Sequence, residues 1–325
     1  MLKPTLLLLL TAVLSAENVA TFSIVGFDPV TREWGIAVAS RYFSVGSVVP
    51  WAEAEVGAIA TQANVNVGYG PRGLELLKQG LTARQTLDRL LAEDKFEGKD
   101  GRQVGIIDGR GNIAAYTGPK APTWAGDRQG KGWTAQGNIL VGPQVPEAMG
   151  KAFDATRGEL AEKLFEALKA GDDVGGDSRG KQSASILVVG KGAGRNTNND
   201  RTVYINVDDS PFPLPELRRL LDVNLSTLNQ DRTFRYLASG KLKEAQEAAQ
   251  KAAKYAPSRS DVHLTFGLLS YAVGDKTTAL SALQRARQLD PNFQKQFDVV
   301  TQARPQYKPV LEDKEFLRQL FPETK

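Results

Sequence analysis

Residues 21–40 read TFSIVGFDPVTREWGIAVAS. Two runs rich in β-branched and aromatic residues, TFSIVGF and WGIAVAS, flank Asp28-Pro29, a pair that starts turns. The pattern predicts two adjacent strands, with Thr21 opening the first. Residues 1–20 carry one early cation, Lys3, then an apolar run from Leu6 to Leu10 that continues through Val13 and Leu14. Small residues follow at Ser15, Ala16 and Ala20. This is the order of a secretory leader, and the run is too short to span a bilayer. Removal of residues 1–20 would make Thr21 the N-terminus. Its hydroxyl would then be a nucleophile, with its own α-amine, of ordinary pKa ~7.7–8.0, as the base. Ala20 pairs with Asn18, and Ala16 with Leu14, at the −1 and −3 positions of a leader cleavage site. A cut after Ala16 would leave four residues ahead of Thr21. A second step, attack by Thr21 on the carbonyl before it, would then complete maturation.

Composition narrows the chemistry. The chain of 325 residues has no Cys and one His, His263. Thiolate catalysis, disulfides and Cys-ligated metal centres are excluded, and no His/Asp/Glu cluster has metal-ligand spacing. No metal and no cofactor are expected. The net charge of +4 comes from the C-terminal third, where 18 Lys and Arg from residue 216 onward face 13 Asp and Glu. The excess is spread along helical pattern, which reads as solvated surface and not as a nucleic-acid site. After residue 20 no run is long and apolar enough to cross a membrane.

Outward from residue 40, VGAIATQ at 56–62 is a third β-like run. Leu74, Leu77 and Leu81, then Leu87, Leu90 and Leu91, recur at helical spacing, with Thr82 as an N-cap between them. Runs at 103–108 and 112–118 flank Gly109-Arg110-Gly111 and read as a hairpin. Two helices broken at Gly158 follow over 143–170, and a second hairpin over 183–189 and 202–207. GKGAGRN at 190–196 lacks the Gly-Lys-Ser/Thr ending of a phosphate loop and joins two strands. Segregated strands and helices predict an α+β domain over 21–209. Asp208, Asp209 and the prolines 211, 213 and 215 mark a boundary, with a linker and helix over 210–225. The segment 21–209 is expected to fold by itself.

Beyond it the chain is helical and repetitive. Gly240, Ala245, Ala252 and Pro257 recur 34 residues later as Gly274, Ala279, Ala286 and Pro291. The region 226–325 resembles two tetratricopeptide repeats, over about 226–291, followed by a capping stretch. Asn229 and His263 stand where such repeats usually carry an aromatic residue. The resemblance implies a surface that recruits a protein partner, with Asn229, Arg232, Arg235, His263 and Ser270 as candidates, or a face that packs on the first domain.

The first region resembles a bacterial family catalogued as domain of unknown function 1028, in the N-terminal-nucleophile hydrolase superfamily. The likeness lies in TFSIVGFDP, GIAVASRYFSVGSVVPWAEAEVGAIATQ, NVNVGYGPRGLELL, Arg102-Gln103-Val104 and GGDSRGKQSASILVV. It implies a four-layer αββα sandwich like that of proteasome subunits, and Thr21 as catalytic nucleophile. Ser40 and Arg41 match the Ser-Arg of the proteasome's Asp-Ser-Arg, but Ala39 replaces the Asp. No Lys follows at the proteasome's spacing; Glu53 and Glu55 stand near that place. The α-amine must then supply the basicity, while Arg41 can hold a carboxylate or developing negative charge.

Gln62, Asn64 and Asn66 alternate after the third run, so they are expected on one face as amide donors to an oxyanion or to substrate. Asp177, Arg179 and Gln182 lie in a glycine-bracketed loop before SASILVV and are candidates to bind a substrate end. Two readings follow. One is an exported N-terminal-nucleophile amidohydrolase acting on an amide-containing small molecule or peptide. The other is a catalytically silent sandwich serving binding or assembly, with the repeats recruiting a partner. Homo-oligomerisation stays open.

Overall fold

The computed structural model describes residues 21–196 and 198–322. The leader read at 1–20 lies outside the described residues. Among the described residues, ten strands form two antiparallel sheets. The larger holds β1 (Thr21–Asp28), β2 (Glu33–Ser40), β7 (Gly126–Gly130), β8 (Trp133–Asn138), β9 (Ser183–Gly190) and β10 (Arg201–Val207) in the order β10-β9-β2-β1-β8-β7. The smaller holds β3 (Pro50–Glu53), β4 (Gly57–Ala63), β5 (Arg102–Asp108) and β6 (Ile113–Thr117) in the order β3-β4-β5-β6. Thr21 thus opens a central strand, with neighbours on both sides.

The period-2 rule sorts the strands into layers. Val25 and Phe27 of β1, Trp34, Ile36 and Val38 of β2, and Ala58 and Ala60 of β4 share one apolar cluster between the two sheets. The alternate residues Phe22, Ile24, Ala37 and Ala39 face the helices α3 (Gln144–Ala155) and α4 (Leu160–Asp173). Ile59, Val104 and Ile106 cover the other sheet's outer face under α1 (Tyr69–Lys78) and α2 (Ala83–Glu93). The result is helix, sheet, sheet, helix. Thr82 caps α2 as its sequence predicted, accepting from the Gln85 amide in a full capping box.

Three strands went unread in the sequence. β3 is four residues of which only Pro50 is fully buried, and β7 is a half-exposed edge, so neither has a strong apolar pattern. β8, WTAQGN, alternates well, but its polar residues Thr134, Gln136 and Asn138 are fully buried. A pattern that assigns polar residues to solvent cannot see such a strand.

The boundary at 210–225 is covalent but not a packing boundary. The prolines open one continuous helix, α5 (Pro213–Ala238), as proline does at a first helical turn. No break separates the expected linker helix from the expected first repeat helix. Leu214, Leu217, Leu221 and Leu225 belong to the same cluster as Ile186, Val188, Val203 and Val207 of the large sheet. Helix α5 therefore forms part of the wall of the core that the segment 21–209 builds.

Past α5 the chain forms α6 (Leu242–Tyr255), α7 (Ser260–Ala272), α8 (Lys276–Leu289), α9 (Phe293–Ala303), α10 (Pro309–Glu312) and α11 (Lys314–Leu320). The 34-residue repeat has a structural counterpart. Gly240 and Gly274 both take positive φ, 71° and 90°, in the turn after α5 and α7. Ala245 and Ala279 are both fully buried at the starts of α6 and α8. The surface candidates divide. Asn229 and Ser270 are buried, and Arg232 Nη1 donates to Glu159 Oε1 at 3.0 Å, tying α5 to the start of α4. Arg235 pairs with Asp231 on its own helix.

Candidate active site

The space between the sheets is apolar at one end and polar at the other. Thr21, Ser23, Ser40, Asn138, Gln136, Ser183 and Ser185 continue the inward-facing alternation of the large sheet. Gln62 and Gln103 do so on the small one. All nine are buried. Register places Asn138, Thr21, Ser40 and Ser183 in one row across β8, β1, β2 and β9, on a single face.

Hydrogen bonds order this polar end. Thr21 Oγ1 donates to Ser40 Oγ at 3.2 Å. Gln62 Nε2 reaches the Thr21 carbonyl at 3.3 Å, Gln103 Oε1 at 2.8 Å and the Gln136 carbonyl at 3.4 Å. Gln136 Nε2 donates to Ser23 Oγ at 2.6 Å, and Ser23 donates to Gln62 Oε1 at 2.7 Å. Gln103 Nε2 donates to Thr117 Oγ1 at 3.0 Å, and Thr117 to Asp127 Oδ1 at 2.9 Å. Gly105 makes the room: a Cβ there would stand 2.4 Å from Gln136 Oε1. Buried amides that satisfy one another fix a single arrangement, since each unmade bond is costly.

This network engages Gln62 within the protein. Three acceptors surround its two N–H groups, which ties Gln62 to the Thr21 strand. Asn64 and Asn66 do not share its face. Ala63 has φ 63°, which turns the chain at the strand end. Asn64 Nδ2 donates to the Gly98 carbonyl at 3.1 Å, and Asn66 Oδ1 accepts from the Gly68 amide at 3.0 Å just before α1.

The loop residues do gather near Thr21. Asp177 Oδ2 accepts from the Arg41 amide at 2.9 Å, one residue past Ser40. Asp177 also pairs with Arg179, Nη2 to Oδ2 at 3.1 Å, and Arg179 Nη2 donates to the Arg41 carbonyl at 3.1 Å. Arg41 Nη1 returns a bond to the Arg179 carbonyl. The Gln182 amide donates to the Ser40 carbonyl at 3.1 Å, while its side chain reaches Asp209 Oδ1 at 3.1 Å. Two guanidinium groups and one carboxylate thus brace the rim beside Ser40. His263, on α7, is outside this site and contacts the Pro257 carbonyl at 3.1 Å. A cleft of about 570 Å³ lined by Glu33, Glu159 and Arg232 lies toward the opposite end of β1.

Arg102, missed as a site-supporting residue, anchors the loops on the small-sheet side. It is buried, with Nε 2.9 Å from Asp94 Oδ2, and its Nη1 donates to the Asn64 and Val65 carbonyls. Its guanidinium lies 4.7 Å from the Phe96 ring centre. Burial of Asp94 opposes ionisation, but bonds from Arg102, the Phe96 amide and the Tyr69 hydroxyl outweigh it and hold the carboxyl at about 2. Arg102→Ala is expected to lose about 3–5 kcal/mol at neutral pH, because a buried carboxylate is left without its charge partner. A folded-state value below the unfolded one, ~3.9, means that this stabilisation is present above the unfolded value and lost as pH falls towards about 2. Urea unfolding at pH 7 and at acid pH measures both effects. The gap between wild type and variant should shrink in acid.

Ser23, Gln103, Gln136 and Asn138 were also missed. Their signal was the polar alternation Thr134-Gln136-Asn138, legible only once β8 is known to be internal. No curated protein matches the chain significantly. The crystal structure of protein SPO2555 from Silicibacter pomeroyi, itself described under DUF1028, is similar to it. The two share 29% identity at a TM-score of 0.56, over 62% of this chain and 84% of that one. Residues 21–217 match the family of unknown function DUF1028, a span that holds Thr21, Ser40, Arg41 and the whole polar end between the sheets, and the chain belongs to that family.

Proposed function

We propose that the protein is an exported amidohydrolase with Thr21 as its nucleophile, exposed as the N-terminus by removal of residues 1–20. The observation that carries this reading is the Thr21 hydroxyl, 3.2 Å from Ser40 Oγ at the polar end of the inter-sheet space. The helix–sheet–sheet–helix layering supports it, being the arrangement that the N-terminal-nucleophile resemblance implies. In this mechanism Thr21 Oγ attacks an amide carbonyl while the α-amine takes its proton. The amine returns the proton to the leaving nitrogen, and water then hydrolyses the acyl-enzyme. Ser40 orients the hydroxyl, and Gln62 fixes the strand through the Thr21 carbonyl. Arg41 and Arg179 favour an amide substrate that carries a carboxylate.

Ala39 supplies no orienting carboxylate, and in this reading Ser40 takes that part. It packs in the cluster beneath α3 and α4, on the face of β2 opposite Ser40. The helix pairs α5–α6 and α7–α8 are read as tetratricopeptide-like and as a brace on the first region, since Arg232 is engaged within the chain.

Intact mass and Edman sequencing of the protein isolated from an exporting host test the proposal. The mature chain is expected to start at Thr21. An active mature protein that starts at Glu17 would overturn the self-contained nucleophile and base.

A further inference from the structure

One buried atom at the polar end has no partner. Asn138 is fully buried, and its Oδ1 makes no hydrogen bond among the described residues. The surrounding network fixes that atom as oxygen. Gln103 Nε2 faces the Gly126 carbonyl at 3.2 Å and the Gly137 carbonyl at 2.8 Å, which can only accept. Gln103 therefore presents Oε1 to Asn138, and Asn138 donates its Nδ2 there at 3.1 Å. The Asn138 carbonyl oxygen is left over. An unpaired buried acceptor is costly and calls for a donor.

Register says which donor is near. Asn138 stands directly opposite Thr21 in the β1–β8 ladder, with both side chains on the inter-sheet face. Directly opposed residues have Cβ atoms about 4.5–5.5 Å apart. We propose that Asn138 is a positioning residue whose Oδ1 accepts a hydrogen bond from the α-amine of mature Thr21 and aims its lone pair at Thr21 Oγ1. The inference rests on the proposed maturation, which turns a peptide nitrogen into an amine with further protons to donate. It explains why a buried asparagine sits at this rung with one acceptor held open. Ser40 would orient the hydroxyl from one side of β1, and Asn138 the amine from the other.

The charged groups brought to this end are Arg41, Asp177 and Arg179 beyond β2 and β9, and Asp127, reached through Gln103 and Thr117. None of them is altered by substitution at Asn138. The test is the titration of the Thr21 amine in the mature full chain, followed by the Thr21 13Cα shift after threonine labelling. Thr21 is first verified as the N-terminus by Edman sequencing. An acceptor stabilises the ammonium form, so Asn138→Ala should lower the midpoint by about one pH unit. Asn138→Asp adds a carboxylate beside the ammonium and should raise it by about one unit or more. Opposite movements are not expected from a purely structural residue. If Asn138→Asp does not fold, Asn138→Ala decides alone. A midpoint unmoved in Asn138→Ala, with Thr21 verified as the N-terminus, would overturn this inference and leave the nucleophile standing. A different N-terminus would overturn both.

Discussion

Thr21→Ala is expected to give a folded protein that has lost amide hydrolysis by at least about 10³-fold, the scale seen when a covalent nucleophile is removed. The folding part follows from the site. Thr21 is fully buried, but alanine fits the same strand position, and its hydroxyl bond to Ser40 is worth about 1 kcal/mol. That is small against the ~5–15 kcal/mol that holds a domain together. The activity part does not need the natural substrate. A strained lactone or activated ester acylates an N-terminal hydroxyl primed by its own amine. Intact mass should show one acyl group on the wild type and none on the variant. Peptide mapping should place that group on Thr21. Equal acylation of the variant would assign the reactive group elsewhere and remove Thr21 from the mechanism. Ser40→Ala is the informative companion, because it removes the partner of the hydroxyl while leaving nucleophile and base in place. It should slow acylation without abolishing it.

What the sequence made legible depended on where apolar residues lay. β1, β2 and β9 carry β-branched and apolar residues on both faces along most of their length, so they read as strands at once. The leucines of α1 and α2 and the 34-residue recurrence of Gly240 and Ala245 were equally plain. The site was legible only in part. Thr21, Ser40 and Gln62 do meet, and Arg41, Asp177 and Arg179 gather beside them. The polar inner face of β8 was not legible, because alternation gives a face but not what covers it. That hid Gln136 and Asn138. Asn64 and Asn66 were placed with Gln62 because alternation was extended past Ala63, where a left-handed residue ends it. One helix, α5, runs across the join expected at residue 225. Leucines at 214, 217, 221, 225 and 228 form one uninterrupted stripe, while the prolines before it carry the composition of a boundary.

That stripe carries the second large effect. A chain ending at residue 209 is expected not to fold to a native state. Leu214, Leu217, Leu221 and Leu225 are each at most 4% exposed, against a sheet whose own residues Val203 and Val207 lie beneath them. Each buried leucine is worth about 1.5–3 kcal/mol, so the four together supply roughly 6–12 kcal/mol. That is comparable to the entire stability of an ordinary domain. Polar ties add to the loss: Arg218 Nη1 donates to Glu162 Oε2 at 2.8 Å, and a cut at 209 leaves Glu162 without it. A chain ending at residue 238 keeps α5 but strips α6 from it, leaving Ser226 without the Ala252 carbonyl. It should fold with a lowered midpoint. Near-UV circular dichroism and thermal unfolding of chains 21–209, 21–238 and 21–325 provide the comparison. A cooperative transition in 21–209 within a few degrees of the full chain would show that α5 merely leans on a complete core. The expected order, no transition, a lowered one and the full one, would make the helical region a structural part of the unit that holds Thr21 in place. Loss of hydrolysis on truncation would then report on folding, and not on a lost partner.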